Sequence, residues 1–399
     1  MDSKEVMGVE DSHLAPVYKK FQVVLSKGSG SVVWDQNGRE YIDCMAGYGV
    51  ALVGHSNPHV RKAINQQLEK ITTCHGSFYN EARSEALLAL DRICPPNLRN
   101  YFLCNSGAET IEAALKLARR ATGRKKLIAM TGSYHGKTMG ALSTTWSRRY
   151  RDPFGPLLPQ VEFVPFGNVE ILSEKVDEST AGVLLEPIQG ESGIHSASEE
   201  FMLEARKSCD KVGSLLILDE IQTGLGRTGD MWAHQAYGVT PDILCSAKGL
   251  AGGLPAGAMI TSQKVASSFR TGDHTTTVGG SPVVCAALKA TLEFIEKENL
   301  VGRAKEMGGI FFDGLENLKA KHSAIREVRG KGLLIGLETR FDIRDILLSC
   351  MRRGLLLLYS GRNVLRFLPP LVIEPTQIKK ALAILDKAFG EAEGNMGIS

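Results

Sequence analysis

Long apolar runs are missing: none of the 399 residues belongs to a stretch approaching the ~20 needed to cross a bilayer. The first residues, MDSKEVMGVEDSH, are polar and acidic and lack the apolar centre of a signal peptide. Cysteine is sparse, at 8, with no C-x-x-C pair and no His/Cys metal spacing. That excludes a disulfide-built or zinc-built small domain and predicts reduced thiols in a cytoplasm. His55, His59 and His75 also lack metal-ligand spacing and read as structural or loop residues, while Cys44 and Cys104 read as small interior residues. One-sided charge is missing too: the net charge is only +3 and is dispersed, which removes the case for a nucleic-acid binder. There is no internal repeat and no low-complexity linker. With 43% apolar and 23% charged residues, the chain has ordinary globular usage, long enough for two domains or one elaborated domain.

Short apolar runs end in polar or glycine-rich turns at Tyr101–Cys104, Lys126–Met130, Gly182–Leu185, Ser214–Leu218, Ile243–Cys245 and Ala256–Ile260. Helix-period segments such as Ala108–Ala121 and Glu199–Val212 lie between them. Strands alternating with helices predict an α/β protein with a mainly parallel, doubly wound sheet. Such sheets place ligands beyond the carboxyl ends of their strands. Ser31–Asp43 reads as a hairpin turning at Asn37-Gly38. A long amphipathic helix is expected from Pro282, then strands over Arg326–Glu338 and Arg366–Ile373, then a closing helix from Thr376.

Four strand ends carry unusual residues. Ser106-Gly107-Ala108 opens a helix, either as a phosphate cradle or as a plain N-cap. Thr131–Thr138 (TGSYHGKT) nearly matches a phosphate-binding P-loop, with Thr131 where the first glycine should stand. Asp219-Glu220 ends an apolar strand, as a magnesium-binding carboxylate would in a nucleotide hydrolase. The G-x-G-x-x-G at Gly224–Gly229 is followed too soon by Gly238 and Pro241 for a dinucleotide-fold helix. Lys248, boxed in by small residues beside a buried strand, is odd as structure but suits an amine that forms a Schiff base with a carbonyl cofactor. A phosphate cradle, a carboxylate, an aromatic and such a lysine are together what pyridoxal phosphate (PLP) requires.

Between Tyr18 and Ile373 the chain resembles the class III aminotransferases of PLP fold type I. The resemblance is carried by NSGAE at Asn105–Glu109, LLEPIQGE at Leu184–Glu191, LDEIQTGLGRTG at Leu218–Gly229, SAKG at Ser246–Gly249 and RFLPPL at Arg366–Leu371. It implies a large domain with a mainly parallel central sheet plus a smaller α+β domain from the chain ends. The expected division is 1–45, 46–281 (PLP-binding) and 282–399. Lys248 is implied as the Schiff-base lysine and proton carrier, Asp219 as the partner of the pyridine nitrogen and Gln222 as that of the ring hydroxyl. Ser106, Gly107 and Ala108 should hold the phosphate, Thr277 the phosphate of a neighbouring subunit in a homodimer, and Tyr134 the ring face. His135, beside it, reads as a packing or a catalytic residue. Whether dimers pair into tetramers is left open.

The resemblance further implies that Glu191 screens Arg366 while a neutral ω-amine is bound and leaves it for the side-chain carboxylate of glutamate or 2-oxoglutarate. Tyr18 is implied at the substrate entrance. Lys137 stands where the family has an arginine gripping the substrate α-carboxylate, exchanging a planar fork for a point charge. Tyr41–Cys44, Gly47–Val50, Thr122–Lys126, Ser143–Tyr150 and Val364–Glu374 are most similar to the archaeal-type lysine/ornithine-biosynthetic branch near acetylornithine aminotransferase. That branch implies a semialdehyde carried on a small acidic amino-group carrier protein. The alternative is acetylornithine or ornithine as a free small molecule. From another class, a P-loop nucleotide hydrolase would use Lys137 and Asp219. The basic run Arg148, Arg149 and Arg151 reads either as a solvated face or as a dock for the acidic carrier.

Overall fold

The computed structural model describes residues 1–396. A seven-stranded sheet runs Asn100–Cys104, Gly257–Thr261, Ile243–Ser246, Leu215–Asp219, Thr180–Leu185, Lys126–Met130, Val161–Val164. Gly257–Thr261 is antiparallel to both its neighbours, and the remaining pairs are parallel. The run Thr180–Leu185 is buried at every position. Both its faces are covered, so it shows no polar alternation. Neighbouring residues serve opposite layers. Ile217 packs with Ile111, Leu115 and Ala118 of helix Gly107–Thr122, whereas Leu216 and Leu218 pack with Phe201, Met202 and Ala205 of helix Glu199–Val212. Helix Gly107–Thr122 begins where the Ser106 hydroxyl accepts from the Glu109 N–H (3.3 Å) and stops at Gly123, φ +70°.

The chain ends build two four-stranded sheets. Leu25–Ser29, Val32–Asp35 and Glu40–Asp43 form a meander that Leu355–Leu356 joins in parallel. Its turn at Asn37-Gly38 is held by Asp35 Oδ1, which accepts from the Asn37 and Arg39 N–H groups (both 2.9 Å). The other sheet is antiparallel: Ile325–Lys331, Leu334–Thr339, Val364–Phe367, Leu358–Ser360.

Three expectations change. The helix from Pro282 is two helices, Pro282–Lys297 and Leu300–Lys321, broken at Asn299 in the left-handed region (φ +46°). The first of them packs on helices Pro58–Leu68 and Glu81–Ile93. Arg326–Glu338 is a hairpin, because Gly332 turns the chain at φ +57°. The strand expected to reach Ile373 ends at Phe367, just before Pro369 and Pro370, which have no N–H for a ladder.

Candidate active site

Strand register gathers the chemistry. Leu218 lies opposite Leu185 and Asp219 opposite Cys245, so Asp219 and Glu186 emerge at adjacent strand ends. Lys248 follows the next strand, Ile243–Ser246. Gly107, Ala108, Tyr134, Lys137, Glu186, Glu191, Asp219, Gln222 and Lys248 line one cavity of about 250 Å³.

Burial lowers the Lys248 ammonium below its ordinary value, against the opposing pull of the Glu191 and Asp219 carboxylates. A larger share of its amine is therefore neutral and nucleophilic. The residue sits at φ +49°, a conformation non-glycine residues keep only where their surroundings impose it. Asp219 Oδ1 accepts from the Ile221 N–H (3.0 Å), and Oδ2 accepts from His135 Nδ1–H (2.7 Å). Both side chains are buried, and His135 Nε2 has no partner. His135 is therefore part of the site rather than a packing residue.

Arg366 is fully buried on strand Val364–Phe367. Its Nη1 donates to the Gly190 carbonyl and to Glu191 Oε1, both at 2.7 Å, while Nε and Nη2 have no partner. Tyr134 stands 6.1 Å from Tyr150, edge to face, and its phenol is pushed up to about 12, first by burial and then by Glu191. Lys137 Nζ lies 4.4 Å above the Tyr150 ring.

Not every expected residue reaches the cavity of a single chain. The Ser106 hydroxyl is engaged as the N-cap, while the following Gly107 and Ala108, at the start of the helix, line the cavity. Tyr18 is exposed, although it is close enough to act on the Tyr134 phenol. Thr277 is exposed on the loop after Thr276 and is absent from the cavity wall. The basic run divides: Arg148 and Arg149 are exposed, while Arg151 stacks on Phe163 (4.6 Å).

Sequence reasoning missed two groups. Glu186 is 6% exposed, with Oε1 accepting from the Tyr134 N–H (3.0 Å) and Oε2 from the Gly190 N–H (3.3 Å). Burial, offset by His135 and reinforced by Asp219, pushes it up to about 7. Its position as the first residue beyond an apolar strand was a readable signal. Tyr48 gave no such signal. It sits at φ +61° in a turn held by Asp43 Oδ1, which accepts from the Met45 and Ala46 N–H groups (2.8 and 2.9 Å). Burial and Glu191 raise its phenol.

The residues fit pyridoxal phosphate. Two backbone N–H groups at the start of a long helix suit a phosphate. Gln222 Oε1 is buried with no donor and would accept a hydrogen bond from the ring hydroxyl. Asp219, fixed by His135, would face the ring nitrogen, and Lys248 would bind the aldehyde. Fold and site together define a PLP enzyme of fold type I.

The solved structures agree. An ornithine aminotransferase from Toxoplasma gondii, described with partial occupancy of PLP at its active site, matches with a TM-score of 0.95 and 32% identity, covering 99% of this chain and 95% of that one. An acetylornithine aminotransferase from Methanopyrus kandleri is 43% identical over 98% of this chain and 99% of its own. A LysW-aminoadipate semialdehyde/glutamate semialdehyde transaminase from Sulfolobus acidocaldarius is 44% identical over 95% and 98%. The family described as Aminotransferase class-III matches residues 14–389. The chain belongs to the class III aminotransferases and is an aminotransferase that uses PLP. That family is not one of nucleotide hydrolases, so the P-loop alternative falls.

Proposed function

We propose that this aminotransferase moves an amino group between glutamate/2-oxoglutarate and a semialdehyde carried on a small acidic carrier protein, in lysine and arginine biosynthesis. The carrying observation is the buried Arg366 held by Glu191 at 2.7 Å. A guanidinium with two unpaired nitrogens and one displaceable carboxylate partner can serve a dicarboxylate in one half of the cycle and be silenced in the other.

When bound, the cofactor supplies an electron sink at the substrate carbon. Asp219, oriented by His135, would present its carboxyl group to the ring nitrogen. Lys248 Nζ takes the proton from the substrate carbon and returns it. Tyr134 would cover the face of the bound ring and exclude water. Lys137 meets the substrate α-carboxylate as a point charge. The course is ping-pong, because donor and acceptor occupy one pocket in turn. On this reading residues 46–281 bind the cofactor, and 1–45 with 282–399 close over the substrate.

A homodimer completes the site. Thr277 is exposed, next to exposed Val278, and Phe78 and Tyr79 present large apolar surface (71% and 105% exposed). Eight free cysteines suit a cytoplasm, and no helix among the described residues is long and apolar enough to cross a membrane. For the carrier, support comes from the relative named for LysW-linked substrates and from exposed Arg148 and Arg149, next to Tyr150, whose ring meets that of the cavity residue Tyr134. The relative named acetylornithine aminotransferase favours the second reading, a free N-acetylated substrate.

An absorbance titration of the PLP-loaded enzyme separates them, using carrier-linked lysine, carrier-linked ornithine and free acetylornithine. A cofactor band that shifts at low concentration only with the carrier-linked amines is the expected result. Equal response to free acetylornithine removes the carrier.

A further inference from the structure

Glu186 has no place in the chemistry above, yet it joins two parts of the site. It leaves the end of strand Thr180–Leu185 and is almost fully buried. One oxygen accepts from the Tyr134 N–H, in the turn after Lys126–Met130, and the other from the Gly190 N–H. Gly190 is the residue whose carbonyl holds Arg366 Nη1, and its successor supplies the screening carboxylate.

We infer that Glu186 is a positioning residue for the carboxylate gate: it braces Gly190, and through it Arg366, against the turn that carries Tyr134. This inference rests on the reading of Glu191 and Arg366 as that gate. When the Glu191 side chain leaves Arg366, the Gly190 carbonyl is the remaining described partner of the guanidinium. The place of Arg366 when it meets a dicarboxylate therefore depends on how firmly Gly190 stays put. Gly190 has little slack on its other side, where a Cβ would run into the Gln222 side chain. The brace lets the Glu191 side chain move while the loop stays.

A carboxyl group can accept at both ends of this bridge, with or without its proton; an amide would turn its NH2 toward one of the two N–H donors. The bridge is not what folds the loop. Gln189 Nε2 independently donates to the Thr131 carbonyl (2.9 Å), tying the same loop to the same turn. Removing Glu186 should therefore loosen the gate and leave the cavity formed.

The test compares wild type, E186Q and R366M as PLP-loaded enzymes. It uses the KM for 2-oxoglutarate, the KM for the amine donor, kcat, and calorimetric binding of glutarate, a dicarboxylate that cannot react. In E186Q, losing one hydrogen bond to the brace should raise the 2-oxoglutarate KM and the glutarate Kd about tenfold. The donor KM and kcat should stay within about threefold. A general packing defect would instead raise both KM values together or lower kcat alone, and either pattern overturns the inference. If glutarate binding depends on Arg366 but is unaltered in E186Q, the inference falls and the gate stands. If R366M binds glutarate as well as wild type, the gate reading falls and this inference with it. Should E186Q not fold, E186D, which keeps the charge but reaches only one of the two donors, carries the same expectations.

Discussion

Removing Glu191 and removing Arg366 should have unequal consequences, because the two ends of their ion pair sit in different surroundings. The Arg366 side chain is 0% exposed and the Glu191 side chain 33%. In E191A the guanidinium stays buried with one carbonyl partner and two unpaired nitrogens. Stranding a buried charge costs about 3–5 kcal/mol, and water entering the vacated space should hold the loss near the low end, about 3 kcal/mol. In R366M the carboxylate left behind reaches solvent, and methionine fills apolar space, so the loss should be about 1 kcal/mol or less. Urea denaturation of both cofactor-free variants beside wild type gives the ordering. Kinetics should follow: with no carboxylate screening Arg366, E191A should show a lower KM for 2-oxoglutarate and a higher one for the amine substrate. If R366M is destabilised as much as E191A, burial is not what distinguishes the partners and the gate argument fails.

The Gly136 backbone packs against Ala108 at the start of helix Gly107–Thr122, the proposed phosphate cradle. At φ +128°, with an added Cβ 2.8 Å from Ala108 Cβ, G136A should cost about 1–3 kcal/mol. It should also weaken PLP affinity, measured by titrating the cofactor-free protein; unchanged affinity would mean Ala108 does not hold the phosphate. Glu186 is pushed up to about 7 in the folded protein from an ordinary value near 4.5. Its folded form therefore holds a proton that the unfolded chain releases. This contribution to stability is complete below about pH 4.5 and is lost as pH rises to about 7. The difference between wild type and E186Q in urea midpoints should accordingly fall from pH 5 to pH 8, and a flat difference would contradict the burial argument.

Much of the site could be read without coordinates, for a local reason: chemistry at the carboxyl end of a parallel strand leaves a polar residue directly after an apolar run. Asp219 and Glu186 stand directly after such runs, while Lys248 comes three residues beyond Cys245. Helix Gly107–Thr122 was legible from its cap and its 3.6-residue period. The hairpin at Gly332 was not, because glycine within β-type sequence marks a turn, a bulge or a close approach equally well.

The sequence alone determined the fold class, the family, the cofactor and the types of group available. Strand alternation, capping and motif order are encoded in neighbouring residues. The resemblance implied the Glu191–Arg366 pair; the other contacts among those groups were decided only by the tertiary structure. Strand register set Asp219 beside Glu186. The turn at Tyr134 brought His135 onto Asp219. A strand from near the other end of the chain buried Arg366 against Gly190 and Glu191. Those pairings span 84 and 176 residues of chain, and no local propensity reports on contacts at that separation. They exist because the sheets, once packed, leave a buried charge no other partner.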